Sequence, residues 1–124
     1  DGATPRVSVL AYETLCRGLL TGKHGATPPT FPSTDMRSHD DRFRGAGFSR
    51  AYQLNRAVGA IAAKLGVPPA AVAVAWALRR PGVTAAIVGA KRPDQIEASA
   101  RAVEIVDRTA AFAALQPFVD QTRM

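Results

Sequence analysis

Hydrophobic positions divide the chain into two short strand-like runs and several longer helix-like segments, separated by one polar stretch. Residues 7–12 carry β-branched and aromatic side chains after a proline, which predicts a strand. Residues 83–88 form a second apolar run, typical of a strand covered on both faces. Proline and glycine interrupt polar residues over 24–47, so we expect a long loop there, either a lid or binding loop or a disordered linker.

Helical periodicity dominates the second half of the chain. Apolar residues recur at helical spacing over residues 49–65, with Ser49 as the predicted N-cap. A second helix, opened by Pro68-Pro69 and running to about residue 80, is apolar nearly all round and must be buried. Two further helices are predicted over residues 93–102 and 109–116, the last broken or ended by Pro117.

Strands that alternate with helices indicate βα units, a parallel sheet and an α/β fold. Two strands do not make a stable sheet by themselves, and the apolar second helix needs more covering surface than 124 residues supply. We therefore interpret residues 1–124 as a single partial domain that a partner or an absent portion of chain completes. Its segments are residues 7–23, 24–47, 48–80, 83–103 and a C-terminal tail or helix over 104–124.

Composition narrows the class of protein. The chain is 47% hydrophobic and 21% charged, which is typical of a globular protein, and no apolar run reaches the roughly 20 residues that cross a bilayer. Its single cysteine, Cys16, cannot form an internal disulfide, and its first residues show no secretory pattern, so we expect a cytoplasmic protein. The net charge of +6 favours an anionic partner, but the cations are scattered rather than clustered.

The clearest candidate site is the turn that follows the second predicted strand. Gly89 ends the strand, Ala90 follows, Lys91 and Arg92 supply two cations, and Pro93 takes the first helical position. Backbone N–H groups at a helix start, together with arginine and lysine, suit a phosphate group. The alternative is a short strand-to-helix connection with solvated cations.

Other chemistry is sparse. His24 and His39 have no spacing that indicates a metal site, and Asp35, Asp40 and Asp41 are interpreted as a solvated acidic cluster. The sequence contains no nucleophile elbow, no phosphate loop and no GxGxxG motif. Tyr12, at the end of the first strand, is suited to stacking on a planar ligand or to packing in the core.

Two segments together resemble the aldo-keto reductase family. Ala-Tyr-Glu-Thr-Leu-Cys-Arg-Gly-Leu-Leu-Thr-Gly-Lys at residues 11–23 resembles the segment after the family's seventh barrel strand. Gly-Ala-Lys-Arg-Pro-Asp-Gln-Ile at residues 89–96 resembles the segment after the eighth, and residues 61–67 and 73–78 resemble the last barrel helices. The resemblance spans about residues 7–103 and implies the C-terminal portion of a (β/α)8 barrel, which needs about 250 residues in full.

The resemblance implies a cofactor site for NADP(H), with a small carbonyl compound as substrate of the complete barrel. Tyr12 would stack on the nicotinamide, and Gln95 would reach the 2′-phosphate end, while Ser99 would face the adenine. The remaining implied cofactor residues are Leu15, Arg17 and Gly18 in the loop near the pyrophosphate, and Gly89, Ala90, Lys91 and Arg92 around the 2′-phosphate.

Departures from the family pattern limit what the resemblance implies. Glu13-Thr14 stands where the family has serine-proline, and Ala98-Ser99 replaces the residues that contact adenine. The family's catalytic aspartate, tyrosine, lysine and histidine lie on earlier strands that have no counterpart here. We therefore expect this chain alone to be inactive as a reductase, and to assemble as a homo-oligomer or with a complementing N-terminal half.

Two alternatives remain from the residues themselves. Residues 61–67 followed by a helix mimic a DNA-binding helix-turn-helix, but the second helix offers no polar side chain before Arg79 with which to read base edges. The other alternative is a non-catalytic half-barrel that acts through oligomerisation, because an open barrel would expose a large apolar patch.

Overall fold

A computed structural model describes residues 7–122. In chain order, the elements are β1 (Val9–Ala11), α1 (Gly45–Leu65), α2 (Pro69–Leu78), β2 (Val83–Ala86), α3 (Pro93–Ala100), α4 (Thr109–Ala113) and α5 (Gln116–Thr122). Short 3-10 turns lie at Cys16–Thr21, Met36–His39, Asp41–Phe43 and Arg101–Glu104. The chain is thus a mixed α/β fold in which helices predominate.

The two strands pair in parallel, as the sequence predicts. Val9 is aligned with Val83 and Ala11 with Ala86, with one irregularity in register between Val9 and Leu10. The expectation that residues 83–88 form a strand covered on both faces is wrong for the described residues, because α2 packs against β2 while Ile87 is 51% exposed. Leu10 on β1 is also exposed, at 59%. The sheet therefore keeps an apolar surface that the helices of residues 7–122 do not cover.

Helix α2 forms the centre of the main core, as its apolar sequence predicts. Residues 70–75 and Ala77 are buried on it, and it packs against α1, β2 and the Arg101–Glu104 turn. Val58 from α1 and Phe112 and Leu115 near α4 and α5 join the same cluster. Fully burying side chains of this size is worth about 1.5–3 kcal/mol each.

The burial of α2 decides against the helix-turn-helix alternative. Helices α1 and α2 meet at 100°, an angle suited to that motif. A recognition helix must expose side chains to a DNA groove, however, and Val72 and Ala71 at the middle of α2 are 0% exposed. Within residues 7–122, no single helix is long and apolar enough to cross a bilayer.

Several helix ends differ from the prediction for local reasons. Helix α1 begins at Gly45 with Arg44 at the N-cap, and the Ser49 hydroxyl lies inside the helix, donating to the Gly45 carbonyl at 3.3 Å. Pro117 does not end the last helix but lies in the first turn of α5, where its missing N–H is not needed. Helix α3 tightens into a 3-10 turn after Ala100, a common helix ending.

The predicted long loop over residues 24–47 is an ordered polar segment. Two 3-10 turns lie within it, and Phe43 and Phe31 join Leu19, Phe48 and Ala51 in a second, smaller apolar cluster. The His24 ring meets Phe31 and Phe43 edge-on, with centroids 6.4 and 5.8 Å away. This clustering argues against the disordered-linker interpretation, and the lid or binding loop stays a prediction.

Candidate functional site

The candidate site lies where the carboxyl ends of β1 and β2 meet at one edge of the sheet. Parallel pairing brings these ends together, and the Ile87 N–H donates to the Ala11 carbonyl at 2.8 Å. The Thr14 hydroxyl donates to the Ile87 carbonyl at 3.3 Å, which links the loop after β1 to the end of β2. The two segments singled out from the sequence are therefore neighbours in space.

Tyr12 follows β1 directly, and its side chain is exposed to solvent. Its side chain is 75% exposed, and its hydroxyl donates to Oε1 of Glu13 at 3.2 Å. The alternative of a core tyrosine is wrong for this chain. The exposed ring is suited to stacking against a planar ligand.

The loop that carries the next predicted residues, residues 12–18, is called here the β1 loop. Glu13, Cys16 and Arg17 all have positive φ, at 53°, 48° and 56°, and Gly18 follows at 88°. Side chains rarely adopt this conformation, and each such residue costs about 1–3 kcal/mol unless its surroundings fix it. Leu15 is half-buried against the main core, so one side of the loop is anchored.

Arg17 is held by carboxylates rather than left free. Its Nε donates to Oε1 of Glu13 at 2.7 Å, and its Nη1 lies 3.4 Å from Oδ2 of Asp40. Arg42 bridges the same two carboxylates, 2.7 Å from Asp40 and 3.3 Å from Glu13. These four side chains form a closed network with no net charge.

The arginines of this network favour the ionised form of both carboxylates. Arg17, above all, holds the pKa of Glu13 below its ordinary value, and Arg42 does the same for Asp40. Burial raises the pKa of the Cys16 thiol, which keeps it protonated and unreactive. The interpretation of the aspartates as a solvated cluster is wrong for Asp40, whose side chain is 9% exposed and doubly ion-paired.

Sequence reasoning missed Asp40 and Arg42, although a repeated pattern points to them. In both Asp35-Met-Arg37 and Asp40-Asp-Arg42, the aspartate accepts from the backbone and from the guanidinium of the arginine two residues on. Arg37 lowers the pKa of Asp35 to about 2. Each pair starts one of the 3-10 turns, so the D-x-R spacing specifies a capped turn. Residues 35–43, which contain both pairs, are called here the strap.

The turn between β2 and α3 is exposed at all four predicted residues, Gly89, Ala90, Lys91 and Arg92. Some of its hydrogen-bond donors, however, already have partners within the chain. Gln95 Oε1 accepts from the backbone N–H of Lys91 at 2.7 Å and of Arg92 at 3.3 Å. The Arg92 guanidinium forms two parallel bonds to Asp94, at 2.9 and 3.0 Å. Gln95 thus caps the helix, and Asp94 is a partner that the sequence reasoning did not name.

Lys91 and Ser99, the last two predicted cofactor residues, differ in their exposure to solvent. Lys91 is exposed and makes no ion pair within residues 7–122, although its charge acts on the carboxylate of Asp35, so its ammonium is open to an anion. Ser99 is only 4% exposed, so its hydroxyl does not reach an open surface where the prediction placed adenine. Within the described part of the chain, no three His, Cys, Asp or Glu side chains are grouped to hold a metal ion.

Parallel strands flanked by helices, with polar loops at the carboxyl ends of the strands, define part of a (β/α)8 barrel. The chain superposes on glycerol dehydrogenase AKR11B4 from Gluconobacter oxydans with a TM-score of 0.76 and 32% identity. That match covers 94% of this chain and 35% of the dehydrogenase.

The sequence comparisons agree with the structural one. The aldo/keto reductase family matches residues 6–119, and this chain belongs to that family. It is 36% identical over 94 residues to aldo-keto reductase YhdN of Bacillus subtilis, covering 75% of this chain and 28% of YhdN. It is 31% identical over 99 residues to a putative voltage-gated potassium channel subunit beta of Schizosaccharomyces pombe, covering 78% of this chain and 29% of that protein. The chain therefore spans about a third of its relatives' length or less.

Proposed function

We propose that this chain is the C-terminal segment of an NADP(H)-dependent aldo-keto reductase and supplies its cofactor-binding edge. The observation that carries the proposal is the bond from the Thr14 hydroxyl to the Ile87 carbonyl, which places the β1 loop beside the Lys91 turn. An exposed aromatic ring and an unpaired cation then share one edge of the sheet. That combination suits a ligand with a planar ring at one end and a phosphate at the other.

The residues present fit such a cofactor in part. The exposed ring of Tyr12 is the stacking surface, and the ammonium of Lys91 is the cation for a 2′-phosphate. A nicotinamide group, when bound, supplies or accepts a hydride. Arg92 joins the phosphate only by exchanging its two bonds to Asp94, so Lys91 carries the larger share of the discrimination between NADP(H) and NAD(H).

Reduction of a carbonyl also needs a proton donor placed at the substrate oxygen. By the family resemblance, the four catalytic residues precede the seventh strand, and in this proposal they come from another part of the barrel. The chain alone then binds and orients the cofactor without reducing a substrate. The remaining part of the barrel, expressed with this chain, restores the reaction on a small carbonyl compound.

A fluorescence titration of the chain with NADPH, with NADH as the reference ligand, tests the proposal. We expect Lys91→Ala to weaken NADPH binding about tenfold and to leave NADH binding unchanged, since one charge-assisted contact to phosphate is worth about 1.4 kcal/mol or more. Asp94→Asn frees Arg92 and is expected to strengthen NADPH binding. Equal affinity for the two cofactors, or NADPH binding that is unchanged in Lys91→Ala, contradicts the phosphate assignment.

The exposed sheet favours a second proposal, that the chain acts only in an assembly. Val9, Leu10 and Ile87 are 43%, 59% and 51% exposed on or beside two short strands. Such apolar surface favours association, either with a second copy or with the rest of a barrel. Light scattering tests this: a monomer at high concentration that also fails to bind an apolar dye argues against assembly.

A further inference from the structure

The carboxylate of Glu13 makes contacts in three directions. Its Oε1 accepts from Arg17 Nε at 2.7 Å and from the Tyr12 hydroxyl at 3.2 Å. Its Oε2 accepts from Arg42 Nη2 at 3.3 Å. Tyr12 and Arg17 belong to the β1 loop and Arg42 to the strap, so this one side chain joins two segments that are 29 residues apart at Glu13 and Arg42.

Asp40 completes the connection from the strap side. It accepts from Arg42 at 2.7 Å and lies 3.4 Å from Arg17, so that each arginine contacts both carboxylates. Charge-assisted bonds are stronger than bonds between neutral groups, and a network of several charges holds its geometry better than an isolated surface pair. The network therefore adds to the burial of Phe43 in the second apolar cluster in holding the strap in place.

The backbone of the β1 loop indicates that something must hold it. Glu13 and Arg17, which are bonded to each other through their side chains, both have positive φ. Strained residues persist only where the surroundings over-determine them. The bonds of Glu13 to Arg17 and Arg42 supply that constraint at Glu13.

We propose that Glu13 is a positioning residue that fastens the strap to the β1 loop and fixes Tyr12 and Arg17 at the edge of the site. A serine, which the family pattern has at this position, is too short to span Tyr12, Arg17 and Arg42 at once. The strap is therefore closed by a side chain that departs from the family pattern. The fastening does not depend on any cofactor; only its effect on ligand orientation rests on the proposed function.

Hydrogen exchange of the full 124-residue chain, followed by mass spectrometry, tests the fastening. We expect Glu13→Gln to reduce the protection of amides in residues 37–43 about tenfold, because it removes charge-assisted bonds across the two segments. Asp41→Asn is the matched control, since Asp41 lies in the strap but pairs only with the exposed Arg44. The control is expected to change the same amides less than about twofold.

Protection in α2 shows whether a variant has remained folded, because α2 is buried in the main core and distant from the network in the chain. We expect it to be unchanged in both variants. If Glu13→Gln also loses protection in α2, the variant Arg42→Lys takes its place in the experiment. Lysine keeps the positive charge but cannot reach both carboxylates through parallel donors. That variant is expected to open the strap in the same way while α2 stays protected.

A double-mutant cycle separates positioning from a general loss of stability. If Glu13 acts on the strap through Arg42, the variant carrying both Glu13→Gln and Arg42→Gln opens the strap less than the two single effects predict together. Additive effects, native protection in Glu13→Gln, or equal loss in Asp41→Asn overturns the proposal. NADPH affinity of the same variants reports on the proposed function separately, so the two can fail independently.

Discussion

The helical core and the strand-end site of this protein are held together by different forces. In the core, Val58, Val72 and Leu115 are each almost completely buried, and their packing is apolar throughout. At the site, Tyr12 and Ile87 are exposed, and the strap is held by a network of arginines and carboxylates. Within residues 7–122 the helices bury the residues of this core, whereas the sheet keeps an apolar surface that they do not cover.

The two regions rest on different contacts. The apolar helix packing is made between residues of the described chain. The site depends on a sheet with an uncovered face and on part-buried ion pairs, which salt and acid weaken. Stability and function therefore respond to different perturbations, and the following changes are ordered from the largest expected effect to the smallest.

Leu115→Ala is expected to have the largest effect. Leu115 is 1% exposed in the main core, and truncating such a side chain removes buried area and leaves a cavity, at a cost of about 2–5 kcal/mol. Urea unfolding followed by circular dichroism measures the loss. Val103→Ala, at a position that is 74% exposed, is the control and should stay within about 0.5 kcal/mol. Equal losses would mean that the core is not packed as described.

Gly47→Ala tests how closely the strap approaches α1. A Cβ at Gly47 would overlap the Asp41 backbone carbonyl, so the turn at Asp41–Phe43 must move, at a cost of about 1–3 kcal/mol. Gly59 lies on the same helix with open space around it, and Gly59→Ala should instead stabilise the protein by about 0.5–1 kcal/mol. We expect the urea midpoint to fall in Gly47→Ala and to rise in Gly59→Ala, relative to the native chain. Midpoints that shift in the same direction would contradict this expectation.

Acid should loosen the strap before it unfolds the core. Because the pKa values of Glu13 and Asp40 are lowered in the fold, their contribution is fully present above their unfolded values of about 4.5 and 3.8. It is lost as the pH falls below those values toward the folded ones. The urea midpoint measured between about pH 5 and pH 2 should therefore fall less steeply in Asp40→Asn than in the native chain. The same slope in Asp40→Asn and in the control Asp41→Asn would refute the assignment.

Ser49→Ala is expected to have the smallest effect. If Ser49 capped α1, its loss would cost about 1 kcal/mol, but the helix begins four residues earlier. Since the hydroxyl only bonds back to the Gly45 carbonyl, alanine should leave stability within about 0.5 kcal/mol or raise it slightly. A loss near 1 kcal/mol in thermal or urea unfolding would favour the shorter helix.

The sequence predicts the core better than the site. Helical periodicity and the wholly apolar stretch at residues 70–78 predict α1, α2 and the burial of α2, because packing follows apolar pattern. Helix ends are predicted less well, because Ser49 is a good cap in isolation but Phe48, before it, is drawn into the second apolar cluster. That long-range packing extends the helix toward Gly45.

At the site, sequence reasoning identifies two segments that the structure brings together, but not the partners of their charged side chains. Lys91 and Arg92 look equivalent in the sequence, yet Arg92 is paired with Asp94 and Lys91 is not. Arg17 and Arg42 are far apart in the chain, and only folding brings them to the same two carboxylates. Pairings across such separations depend on the path of the strap, which single-residue patterns do not encode.

The parallel pairing of β1 with β2 has a consequence for the order of folding. Thr14 and Ile87, whose bond joins the two sides of the site, are 73 residues apart in the chain. Contacts between α1 and α2 close over a short connection, whereas the strand pair must first close a long loop, which is slow. We therefore expect the site edge to be assembled after the helical core, and its formation to appear in refolding kinetics as a later phase than the gain of helix.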